Sequence, residues 1–140
     1  MHEGRGRQRS TMASTIKVQT RKHAEMVNIT RQVSDAIPAG YSGMCHVHCR
    51  HTTAGLTINE NADPDVTADI IEELDRLVPW SNPAFQHMEG NSAAHVKSSL
   101  LGPSLSVPVE DGRMLLGTWQ GLFFCEFDGP RSRQVTVQLG

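Results

Sequence analysis

The sequence predicts an α+β fold: mostly antiparallel sheets in a sandwich-like core, with three helices. Three features point there. Strand-like segments dominate, the helical segments show no regular strand–helix–strand alternation, and the C-terminal part is strand after strand joined by tight turns.

In chain order, "TIKVQT" (15–20) alternates Ile16 and Val18 with polar residues and reads as a strand. Arg21 to Ala24 turn the chain, so that "EMVNI" (25–29) pairs back. Thr30 is placed to cap a short helix over 31–37, stopped by Pro38 and Gly40. In the next stretch Cys45, Val47 and Cys49 put odd positions on the core face, whereas Ala54, Leu56 and Ile58 put even positions there. A regular strand cannot change phase, so either a β-bulge or a turn between two strands lies near Arg50-His51-Thr52-Thr53.

Asp63 as cap, Pro64 at the first helical position and an apolar stripe of Val66, Ile70, Leu74, Leu77 and Val78 define a helix over 64–78, ended by Pro79. Asn91 is placed to cap another over 92–101, with Gly102 as its stop and Pro103 beyond. "SLSVPVE" then meets a strand over 113–127 across the Asp111-Gly112 turn. That strand is apolar on both faces and belongs at the centre of a sheet; Gly117 and Gly121 within it mark a kink or a close backbone approach. "DGPRS" (128–132) turns into a last strand over 133–139.

A chain of 140 residues, 38% hydrophobic and 20% charged, fits one soluble domain, read here as residues 15–140 after an N-terminal extension over 1–14. That extension is Gly/Arg-rich and has no apolar core, so it is not read as a secretory signal; Met12 is a second candidate start. A net charge of −2 gives no footprint for nucleic acid, and no apolar run reaches the roughly 18 residues of a membrane span. Three cysteines with no close pair suit a reducing cytoplasm.

The candidate chemistry lies in the histidines. His46 and His48 share the polar face of one strand, about 6.6 Å apart by strand rise, as solvated pairs do. His51, His87 and His95 each sit beside a structural irregularity. Either they are separate surface or core residues, or they converge as three neutral ligands with an open position, as in catalytic zinc-like sites. A helix N-terminus disfavours imidazolium at His95 and suits an anionic group. Glu89 would then act as acid/base or orient a ligand. Asn59, Glu60, Asn61 and Asp63 read as turn and cap chemistry or as a cation or hydroxyl site. Arg131, in its tight turn, is a phosphate clamp or a surface residue. Thr118 and Gln120, polar on an apolar strand, need a ligand or a neighbouring chain as partner. Cys125, among Phe123, Phe124 and Phe127, reads as an inert core thiol.

The segments "HTTAGLTINENADPDV" (51–66), "HMEGNSAAHVKSSLLG" (87–102) and "LLGTWQGLFFCEFDGPRSRQVTVQLG" (115–140) resemble the YjbQ family, named for secondary thiamine-phosphate synthase activity. The resemblance runs from about residue 15 to the C-terminus and implies a sandwich-like α+β homotrimer. It matches the family's histidines at His51, His87 and His95, the expected metal ligands, and its motifs at Asn91 and Arg131, which join Glu89 from the residue reading as catalytic candidates. Glu60, Asp63, Thr118 and Gln120 match its motifs as substrate-binding candidates. The implied function is a metal-assisted enzyme acting on a phosphorylated small molecule, joining a pyrimidine diphosphate to a thiazole phosphate with release of pyrophosphate. The divalent cofactor is zinc-like by its ligands, or magnesium by its reaction. Two alternatives stand beside this one: a metal-dependent hydrolase, and a non-enzymatic oligomeric binding protein with a structural metal.

Overall fold

In a computed structural model, residues 13–140 are described. Most of the expected extension therefore lies outside the described residues. Its last two positions do not belong to it, because strand β1 (Ala13–Gln19) begins two residues earlier than the alternation alone indicates. Ile16 and Val18 point inward as their spacing requires.

Two antiparallel sheets face each other. One has five strands in the order β1, β8 (Ser132–Leu139), β3 (Gly43–Cys49), β5 (Ser104–Glu110) and β6 (Arg113–Met114). The other has three, β2 (Glu25–Asn28), β7 (Gln120–Glu126) and β4 (Ala54–Glu60). Cys45, Val47, Val107, Val135 and Val137 from the first sheet close on Leu56, Leu122 and Phe124 from the second. Ile29 and Val33, at helix α1 (Thr30–Asp35), complete this core. The outer face of the small sheet carries a second cluster of Phe123, Cys125 and Phe127 with Ala94. Ile71 and Leu74 of α2 (Pro64–Leu77) and Leu101 of α3 (Ser92–Leu101) cover it. The order is thus sheet, core, sheet, helices. β7 is buried on both faces, as its two-sided apolar composition requires.

Three local expectations change, and one open alternative resolves. Thr30 does not cap α1: the cap position is Ile29, and Asn28 Oδ1 accepts from the Thr30 backbone N–H (3.0 Å) and hydroxyl (2.6 Å). The helix also ends at Asp35 rather than at residue 37. The phase slip near His51 is a turn, not a bulge, because β3 and β4 lie in different sheets and residues 50–53 carry the chain across. The expected strand over 113–127 is likewise two strands in two sheets, β6 and β7. The break falls at Gly117, where the Gln120 N–H donates to the Gly117 carbonyl (3.1 Å) and the Gly117 N–H to Gln120 Oε1 (2.8 Å). Asp63 does cap α2, accepting from Asp65 N–H at 2.9 Å.

Candidate functional site

Asn91 occupies the N-cap position of α3 without using its side chain as a cap. Its Nδ2 donates instead to Asp128 Oδ2 at 2.9 Å, tying the start of α3 to the turn after β7. Arg131, from the same turn, donates Nη2 to Asp128 Oδ2 (3.0 Å) and Nε to the Asp128 carbonyl (2.7 Å). His23, in the β1–β2 turn, lies with Nε2 3.7 Å from Asp128 Oδ1 and packs edge-on against Trp80, ring centroids 4.4 Å apart. Burial pushes the Asp128 carboxyl up, but the bonds from Asn91 and Arg131 and the nearby positive charge outweigh it and hold it below the ordinary aspartate range. Asn91 Oδ1 is buried and has no hydrogen-bond partner.

One turn into α3, the His95 ring stands edge-on to that of His87, centroids 5.6 Å apart. His87 Nε2 lies 3.0 Å from Glu89 Oε1. A neutral His87 donating to that carboxylate has its lone pair on Nδ1, the arrangement by which an outer carboxylate orients a metal ligand.

His51 stands differently. Cys49 pairs with Val135 as the last residue of β3 on that side, which leaves the Gln134 N–H without a strand partner. That N–H donates to His51 Nε2 at 3.0 Å. A nitrogen accepting an N–H carries no proton itself, so the ring is neutral with its proton on Nδ1. In this arrangement neither nitrogen offers a lone pair to a metal. Among the described residues no group of three or more His, Cys, Asp or Glu is placed to hold a metal ion. His87 and His95 thus meet, and His51 does not join them within one chain.

The remaining candidates divide by position along the small sheet. Glu60 pairs with Gln120 at one end of the β4–β7 ladder, and Ala54 with Glu126 at the other. The six residue steps between Gln120 and Glu126 span on the order of 20 Å. Gln120 lies at one end with Glu60, which accepts from Ala62 N–H at 3.1 Å. Both line a hollow of about 270 Å³ with Trp119, and Glu60 and Asp63 line a second of about 310 Å³ with Asn28 and Asn61. Thr118 is exposed in the loop leading into this end of β7. His51, three residues before Ala54, and Asp128, two residues after Glu126, flank the other end. At Gly121 the close neighbour is a side chain: a Cβ there would stand 2.9 Å from Asn61 Cγ.

The sequence reading passed over the most buried polar group. Glu126 is fully buried, and Arg133 is 5% exposed. Arg133 donates Nε to Glu126 Oε1 (2.8 Å), Nη2 to Glu126 Oε2, and Nη2 to Thr53 Oγ1 (2.9 Å). Thr20 Oγ1 donates to Glu126 Oε1 at 2.8 Å. Burial alone would raise the Glu126 carboxyl, but these bonds and that of the Asp128 N–H hold it below the ordinary range. A signal was legible: the inward period of β8 (133, 135, 137, 139) includes Arg133. Cys125 is an inert thiol, as its apolar neighbours indicate, with burial pushing it up to about 12.

Residues 14–140 match the family described as UPF0047 protein YjbQ-like. The chain belongs to this family. UPF0047 relatives include YugU of Bacillus subtilis, 50% identical over 91% of this chain and 98% of that protein. A second, from Methanocaldococcus jannaschii, is 50% identical over 91% of this chain and 94% of its own. Among solved structures, a YjbQ/UPF0047-family protein from Clostridium acetobutylicum superposes with a TM-score of 0.87 at 46% identity, covering 91% of this chain and 99% of its own. The UPF0047 fold is therefore the α+β sandwich described above. No helix among the described residues is long and apolar enough to cross a membrane.

The surroundings of three groups set the expected pH response of this UPF0047 chain. Burial, with the nearby Arg133 charge, lowers the pKa of His51, so the fold prefers the neutral ring. That contribution is complete above the unfolded value of about 6.5 and is lost as pH falls from there to the folded value. Glu126 and Asp128 are also lowered; their contributions are present above about 4 and are lost as pH falls through their folded values. Urea midpoints should thus decline in two stages on acidification, the first below about pH 6.5. His51→Gln, which keeps an acceptor, should remove the first stage and leave the second. An unchanged first stage in that variant would show that another group causes it.

Proposed function

We propose that this protein is a metal-assisted enzyme acting on a phosphorylated small molecule, with thiamine-phosphate synthase activity as the specific reaction. The observation that carries this reading is the His87–His95 ring pair beside Asn91, itself bonded to the carboxylate that holds Arg131. Two imidazoles, one oriented by Glu89, suit a zinc-like divalent ion with positions left for oxygen ligands. Such an ion supplies Lewis-acid neutralisation of a phosphate or diphosphate group. The protein's own residues do the rest in this proposal. Arg131 binds phosphate oxygens through guanidinium donors not used on Asp128, and Glu89 holds or moves a proton next to His87. His51 presents Nδ1–H as a donor rather than a lone pair as a ligand.

Glu60, Asp63, Thr118 and Gln120 are proposed as substrate contacts. Their separation from Arg131 along the sheet favours a homotrimer in which one copy's far group approaches the next copy's histidines. Exposed Leu77, Val96, Leu100, Leu115 and Trp119 supply apolar area for such contacts. A second reading, a metal-dependent phosphate hydrolase, is favoured by the same imidazole pair, because diphosphate displacement generally uses oxygen-liganded magnesium.

Metal analysis of the purified protein and of His95→Ala tests the proposal, with synthase and phosphatase assays and sedimentation mass run on both. The variant should lose metal and activity while remaining a folded oligomer. Retained metal, or collapse into unfolded monomers, would favour a structural role for His95.

A further inference from the structure

We propose that Asp128 is the positioning residue of the phosphate site, an inference that rests on the phosphate reading above. Its carboxylate sits where three separate pieces of chain meet: the β1–β2 turn through His23, the start of α3 through Asn91, and the Gly129-Pro130-Arg131 turn. It is largely enclosed, with the side chain 14% exposed, whereas Arg131 is 53% exposed. The inner residue thus anchors the outer one. Arg131 spends Nε and Nη2 on Asp128, which leaves Nη1 directed by a guanidinium plane already fixed at two points.

Asp128 also determines which way the Asn91 amide faces. An ionised carboxylate only accepts, so Asn91 must turn Nδ2 toward it and Oδ1 away. Oδ1 is the atom left buried without a partner, a cost that a ligand bringing an N–H or O–H would relieve. The ligand class that fits is an anion carrying both bare and protonated oxygens, as a phosphate or diphosphate does near neutral pH: bare oxygens for Arg131, a protonated one for Asn91.

Simple electrostatics gives the opposite sign, which makes the proposal testable. A negative charge beside Arg131 should weaken anion binding, so its removal should strengthen it. Positioning predicts loss. The experiment is calorimetric titration of the full-length, metal-loaded protein with inorganic pyrophosphate, comparing wild type, Asp128→Ala and Asp128→Asn. Asp128→Ala should bind pyrophosphate at least tenfold more weakly. Asp128→Asn, whose amide oxygen can still accept from both Asn91 and Arg131, should bind within about threefold of wild type. If Asp128→Ala does not fold, Asp128→Ser replaces it with the same tenfold loss expected. Pyrophosphate binding by the Ala or Ser variant as tight as wild type, or tighter, overturns the positioning role while the phosphate reading stands. Wild type that binds no pyrophosphate overturns both.

Discussion

Arg133→Met is expected to cost about 3–5 kcal/mol of folding stability, read as a lower urea midpoint at pH 7 with an unchanged slope. The guanidinium and the Glu126 carboxylate are both enclosed between the sheets, and the pair exchanges two hydrogen bonds. Thr20 and the Asp128 N–H satisfy the remaining carboxylate positions, and Thr53 takes another Arg133 donor. Methionine keeps much of the volume but strands a buried carboxylate. The penalty comes from that stranded charge rather than from the strength of the pair. Two corollaries follow. Combining Arg133→Met with Glu126→Leu should recover much of the loss, because well-packed apolar replacements of buried pairs are often near neutral. The single variant should also lose less at lower pH, where burial favours a protonated Glu126. A cost below about 1 kcal/mol would mean that water reaches the pair.

Gly129→Ala should be comparably damaging, and it should damage fold and site together. A Cβ at this position would stand 2.4 Å from the Lys22 carbonyl oxygen, 2.7 Å from Glu126 Cγ and 2.9 Å from Thr20 Oγ1. The first of these is backbone, so relief requires the β1–β2 turn and the Asp128–Arg131 turn to move apart. Loss at the upper end of the ~1–3 kcal/mol of ordinary overpacking, or beyond it, is expected. The Gly129 N–H also donates to the His23 carbonyl at 2.9 Å, and that bond would stretch as the turns separate. Asp128 and Arg131 ride on the displaced turn, so pyrophosphate affinity should fall with stability. A variant as stable as wild type would show that the two turns do not pack as described.

What the sequence discloses follows the range of the interactions involved. Side-chain alternation is local, so Ile16, Val18, Cys45, Val47, Leu56 and the two-faced burial of β7 are legible from spacing alone. The same holds for α2, where Asp63 and Pro64 mark the start independently of tertiary contacts. The break at Gly117 is hidden because Leu115, Leu116 and Trp119, between the two strands, keep the stretch mostly apolar and continuous with its flanks. The site is harder, because its decisive contacts are distant in sequence. Asn91 meets Asp128 across 37 residues, and His51 meets the Gln134 N–H across 83. Phase slippage located His51 at a crossing between sheets, yet nothing local states that its lone pair caps an unfinished strand ladder. Asn91 shows the converse: its place before the helix is right, but Asp128 takes the side chain that capping would have used.

In the proposed site His87 and His95 form the metal-binding pair, with His51 committed to the backbone. Zinc titration of the protein, followed by NMR of the histidine ring nitrogens, tests it most directly. Saturation at one equivalent per chain is expected, with the ring nitrogens of His87 and His95 shifting together and His51 keeping the pattern of a neutral Nδ1–H ring. Zinc that leaves His87 and His95 unmoved, or that shifts His51 as a ligand, would contradict it.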